Sequence, residues 1–92
     1  MLEKIKKIQG ICHNEFDDTI NTWINAGKLD LIETGVDSSK VNVDEPDDLI
    51  QQAVIAFVLS QLDVVNSEMY ANSYALAKDK LRHHIDYIVE DI

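Results

Sequence analysis

At 92 residues the chain is sized for one domain, and a domain this small buries only roughly 60 to 65% of its unfolded-chain surface, so its own core is modest. A formal charge of −9 argues against wrapping nucleic acid, which needs clustered Lys and Arg, while 46% apolar residues argue against disorder. A single cysteine, Cys12, excludes an internal disulfide, and MLEKIKKIQG lacks the long apolar segment of a signal peptide, so the chain reads as cytosolic.

Leu2, Ile5 and Ile8 recur at three-residue spacing among charged residues, with Gly10 as a stop. The spacing predicts a short amphipathic helix over Leu2 to Gln9, which must dock on its own domain or on a neighbour to persist. Cys12 and His13 follow in the connection. Adjacent Cys and His suit zinc, but a structural site needs four ligands and there is no second Cys, so no metal is expected.

Asn14 is a candidate cap for a second helix, with Glu15, Asp17 and Asp18 in its first turn, running to about Thr34 before Gly35. Phe16, Ile20, Trp23, Ile24 and Leu31 form its core-facing stripe, and Gly27 in that stripe permits close helix approach or a kink. Trp23 is read as core. Leu29 and Ile32 fall outside the stripe and are free for the first helix, the following loop or another subunit.

The segment 35–44, GVDSSKVNVD, is the only long stretch without helical periodicity. Val36, Val41 and Val43 alternate with polar residues, which suits an extended arm or short hairpin, with a turn at Asp37, Ser38 and Ser39. An ordinary surface loop and an assembly contact are both open for it.

The run 47–65, DDLIQQAVIAFVLSQLDVV, is apolar on all sides between Ala53 and Leu59 and must be sheathed by other elements. It is too short to cross a bilayer, and Gln51, Gln52, Ser60, Gln61 and Asp63 close it off. The expectation is a central helix from Glu45 to Val65, capped by Asp44, with Pro46 in its first turn and Glu45, Asp47 and Asp48 against the helix dipole.

Asn66 or Ser67 is positioned to cap a last helix reaching nearly to the C-terminus. Tyr70, Tyr74, Ala77, Leu81, Ile85 and Ile88 make its main stripe, which should dock on the central helix. A thinner stripe of Met69, Leu76, His83 and Tyr87 lies about a third of a turn away. It is either partly exposed surface or a subunit interface. His83 and His84 are sequence neighbours on a helix and diverge, so a shared metal site is not expected.

The predicted fold is all-α: a single domain over residues 1–92, a small bundle of about four helices around the apolar helix, with an extended loop before it. Gly10, Gly27 and Gly35 are too scattered for a phosphate-binding loop, and no nucleotide motif or spaced catalytic set is present. No catalysis and no cofactor are expected. Ten carboxylates against Lys28 and Lys40 between Glu15 and Asp48 make either a solvated acidic surface or, if copies form a ring, a passage that repels DNA phosphates.

Asp48, Leu49, Ile50, Ala53 and Ile55, followed after a short gap by Tyr70, Ser73, Tyr74, Leu76, Lys78 and Leu81, resemble the small head–tail connector proteins of long-tailed bacteriophages. These are also called head-completion or DNA-packaging adaptor proteins. In that family an apolar helix has an acidic-Leu-Ile start, and the next helix carries an aromatic-x3-aromatic pattern followed by Leu, Lys and Leu. The resemblance covers nearly the whole chain, although residues 35–45 match no fixed motif.

It implies a non-catalytic virion protein at the head–tail interface, made in the host bacterial cytoplasm, that forms a ring beneath the portal and extends the DNA channel. Its partners are then further copies of itself, the portal, a tail or stopper protein, and DNA passing without specific binding, with no membrane. The residues this chain offers as candidate contacts are Leu29, Ile32, Val36, Val41, Val43, Met69, Leu76 and Tyr87. The alternative is a small acidic regulatory module, an inhibitor or DNA mimic, on a basic site of another protein. An enzyme subunit or metal-dependent hydrolase is the least favoured reading.

Overall fold

The computed structural model describes residues 1–43 and 45–83 as an all-α bundle. Its helices are α1 (Leu2–Gln9), α2 (Asp17–Glu33), α3 (Ser38–Val41), α4 (Asp48–Leu62) and α5 (Ser67–Arg82). The first stop is where the sequence puts it: Gly10 takes the left-handed conformation, φ 69°, and the amides of Gly10 and Ile11 close onto the carbonyls of Lys7 and Lys6 at 3.3 and 2.9 Å. α1 inserts Ile5 completely and leaves Ile8 54% exposed.

Lys6 is also buried, and its ammonium reaches Asn14 Oδ1 and an Asp17 carboxylate oxygen, each at 2.9 Å. That contact moves the start of α2. Asn14 is the expected cap, but its side chain is held by Lys6, and the helix begins at Asp17 with no side-chain cap. Ile20, Ile24, Gly27 and Leu31 then face the core as their spacing predicts, whereas Phe16 stands before the helix and is half exposed.

The segment after Gly35 turns at Asp37 to Ser39 as expected but forms a helical turn there in place of the extended arm or hairpin. Asp37 Oδ1 accepts from both the amide and the hydroxyl of Ser39, at 2.9 Å each, and starts the single turn of α3. That turn tucks Val36 and Val41 into the core. A local cap thus overrides the alternating pattern, because Asp37 Oδ1 satisfies the Ser39 amide and hydroxyl that a lone arm would leave to water.

α4 is shorter at both ends than Glu45 to Val65. Asp44 lies outside the described residues, and Asp47 is the N-cap, accepting from the Ile50 amide at 3.4 Å with Pro46 just before it. At the other end the Asp63 carboxylate accepts from the amide and side chain of Asn66, at 3.0 and 3.2 Å, and from Gln9 at 3.3 Å. This side-chain turn stops α4 at Leu62 and leaves Val64 and Val65 in solvent. It also occupies the Asn66 side chain, and α5 starts at Ser67 without the side-chain cap expected from Asn66 or Ser67.

α4 is nonetheless the centre of the bundle. Ile50, Ala53, Val54, Val58 and Leu59 are buried, α2 and α5 pack on it, and α1 touches it through Lys4 to Gln51 at 3.0 Å. Each fully buried aliphatic side chain contributes about 1.5–3 kcal/mol, which is why an apolar α4 organises a chain whose other helices are only striped. α5 docks through Tyr74 and Leu81, with Tyr70 and Ala77 partly buried beside them. Ile85 and Ile88, assigned to the same stripe, lie outside the described residues.

Candidate assembly surface

Three helices meet at one polar tie inside an apolar contact. The Tyr74 hydroxyl of α5 donates to the Asp30 carboxylate of α2, and Lys78 reaches the same carboxylate at 3.5 Å while its ammonium lies 5.2 Å from the Tyr74 ring centre. The ring of Tyr74 meets Phe57 of α4 edge-on at 5.2 Å. Burial, reinforced by the Asp30 hydrogen bond and charge, pushes the Tyr74 hydroxyl far above the usual phenol range. The tie fixes which flank of α5 faces α2.

On the other flank a groove of about 260 Å³ runs between α4 and α5, lined by Leu49, Gln52, Ala56, Ser73, Leu76, Ala77 and Lys80. Leu76 is 67% exposed at its edge, and Met69 on the same side of α5 is 54% exposed. Met69 and Leu76 of the thinner stripe are therefore left uncovered by the described residues. A second cleft, about 350 Å³, opens between Gln9, Ile11, Phe16, Thr19, Trp23 and Leu62 at the end of α4.

The remaining candidate contacts are scattered rather than gathered. Leu29, 56% exposed, is on the outer face of α2, and Val43 is 42% exposed after α3, while Ile32 packs partly against the core. Val36 and Val41, offered as contacts on the strength of an extended arm, are enclosed by the domain itself and present nothing to a neighbour in this conformation. Tyr87 lies outside the described residues. Sequence reasoning passed over Ile8, Phe16, Val64 and Val65 as exposed apolar positions. Val64 and Val65 stand between Asp63 and Asn66, and that Asp-x-x-Asn turn was the available signal.

Among the described residues no group of three His, Cys, Asp or Glu side chains is placed to hold a metal ion. Cys12 is exposed, and His83 is exposed with its ring nitrogen 2.8 Å from the Asp79 carbonyl. No helix among the described residues is long and apolar enough to cross a membrane. What the molecule offers is surface: apolar positions on separate faces of an acidic bundle.

Among the described residues the all-α bundle leaves apolar side chains exposed on more than one face, the kind of surface through which structural proteins assemble. The phage connector protein family matches residues 1–89, and the chain belongs to that family. Membership places it among the phage structural proteins of the head–tail junction, with a virion location and other head or tail proteins as its contacts. No curated protein and no solved structure matches the chain.

Proposed function

We propose that copies of this chain close into a ring between portal and tail, extend the DNA channel and support head completion without catalysis. The observation that carries this reading is that Leu29 of α2 and Leu76 of α5, each more than half exposed, present two different apolar surfaces on one subunit. Two different surfaces on one subunit favour head-to-tail contacts, and such contacts generate a ring when the rotation closes.

The charge of −9 supports the same reading. An acidic passage repels phosphates, so DNA slides through it instead of adhering. Portal protein on one side and a tail or stopper protein on the other are the partners this role requires.

The test is co-expression with the portal protein of the same phage, followed by light scattering and electron microscopy of the purified complex. A ring seated on the portal is the expected result. A chain that stays apart from the portal at all concentrations overturns the role.

A further inference from the structure

We propose that the outer face of α2 around Leu29 in one copy seats in the α4/α5 groove around Leu76 of the next copy, a contact that rests on the ring reading and names its surfaces. The first observation is direction. Leu29 lies two residues from Gly27 and two from Leu31, both buried, and two residues on a helix are about 200° of rotation, so Leu29 points away from the core. On α5, Tyr74 and Lys78 reach Asp30 of α2 from one flank, whereas Ser73, Leu76 and Lys80 line the groove on the other. The two surfaces therefore lie on opposite sides of the same bundle, as a repeating head-to-tail contact needs and a two-fold contact does not.

The second observation is charge. The outer face of α2 carries Glu33 one turn after Leu29, and the groove carries Lys80 one turn after Leu76, the one charged side chain among those lining it. Leu29 entering beside Leu76, with the two helices crossing in the same direction, brings Glu33 to Lys80. Among the described residues neither Glu33 nor Lys80 has an ion-pair partner within its own domain. The pairing covers two exposed leucines and matches an acid to a base. A two-fold contact through the groove sets lining against lining, whose one charged side chain is Lys80, and so supplies no acid from the groove to pair with it.

Disulfide trapping tests the contact even where association is weak. In a Cys12→Ser background, which removes the exposed native thiol, Leu29→Cys and Leu76→Cys are made singly and together, and each variant is checked by circular dichroism to melt like the parent. Under mild oxidant the double variant is expected to give a ladder of covalent multimers. The two single variants mixed should give a heterodimer that stops at two, several-fold faster than either forms homodimers alone.

Absence of the ladder, or homodimers forming as fast as the heterodimer, overturns the pairing. A general amine-reactive cross-linker on the parent separates this from failure of the ring. Multimers with that reagent but no disulfide ladder mean a ring built through other surfaces, and no multimers by either route, with or without portal protein, mean that both readings fail.

Discussion

Gly27 of α2 lies directly against Phe57 of α4: a Cβ at Gly27 would come 3.0 Å from Phe57 Cδ1 and 3.3 Å from Cγ. The helices approach this closely because nothing projects from Gly27. Phe57 has limited room to yield, since its ring is set edge-on against Tyr74 and Tyr74 is tied to Asp30. Gly27→Ala gains about 1 kcal/mol of helix propensity but incurs an overpacking cost of about 1–3 kcal/mol. We expect a net loss of about 1 kcal/mol on urea unfolding, and a larger loss for Gly27→Val, whose branched side chain also has poor helix propensity. A stabilised Gly27→Val variant would show that α2 and α4 are not in this register.

The tie between Tyr74 and Asp30 makes stability sensitive to alkali. Burial first, then the hydrogen bond and charge of Asp30, raise the Tyr74 pKa above its ordinary value of 10.0. A group whose pKa is raised by folding contributes its full stability below the unfolded value and loses it progressively as pH climbs above that value. The parent should therefore weaken above about pH 10, and Tyr74→Phe should weaken less steeply there. Near neutral pH the same substitution should cost about 1 kcal/mol, at the low end for a bond to a charged acceptor because the Asp30 side chain is 38% exposed. Chemical denaturation followed by Trp23 fluorescence across alkaline pH provides both measurements.

Asp63 gives the opposite pH signature. The amide of Asn66, then the side chains of Asn66 and Gln9, hold its carboxyl below the ordinary value of 3.8. A depressed carboxylate stabilises the fold above its unfolded pKa and ceases to do so as pH falls through the folded one. Thermal midpoints should fall as pH drops below about 4, and less so for Asp63→Asn. Asp37, lowered chiefly by the Ser39 amide, adds to the same acid window, so Asp37→Asn with Asp63→Asn should flatten the curve further. A double variant as acid-sensitive as the parent would remove both turns from the account.

Core and surface apolar residues should part company under the same substitution. Val58 and Leu59 are buried on α4, and Leu59→Ala should cost about 2–5 kcal/mol. Aspartate at either position puts a charge where water does not reach, a cost of several kcal/mol against a total stability of about 5–15 kcal/mol, and should leave the domain unfolded. Met69→Asp, at a half-exposed site on α5, should change stability by about 0.5 kcal/mol or less. Circular dichroism and urea unfolding distinguish the two classes, and a Met69→Asp variant that unfolds would make the thinner stripe part of the core.

The sequence by itself determined the helical class, the span of α1 and its stop at Gly10, the inward positions Ile20, Ile24 and Leu31 of α2 and Tyr74 and Leu81 of α5, and the centrality of α4, because each is a local matter of periodicity, left-handed glycine and apolar content. It also marked Leu29, Met69 and Leu76 as spare apolar positions, all of which stand exposed. Tertiary structure decided what depends on competition for a partner. Lys6 takes the Asn14 side chain and shifts the start of α2, Asp63 takes Asn66 and ends α4 before Val64, and Asp37 winds Val36 and Val41 inward where alternation suggested an arm. Asn14 and Lys6 are separated in sequence by a helix end, and a capping residue read alone gives no sign that a distant cation will claim it. The opposed placement of Leu29 and Leu76 was likewise beyond the sequence, since periodicity fixes the angle of a side chain about its own helix but not the side of the bundle on which that helix lies.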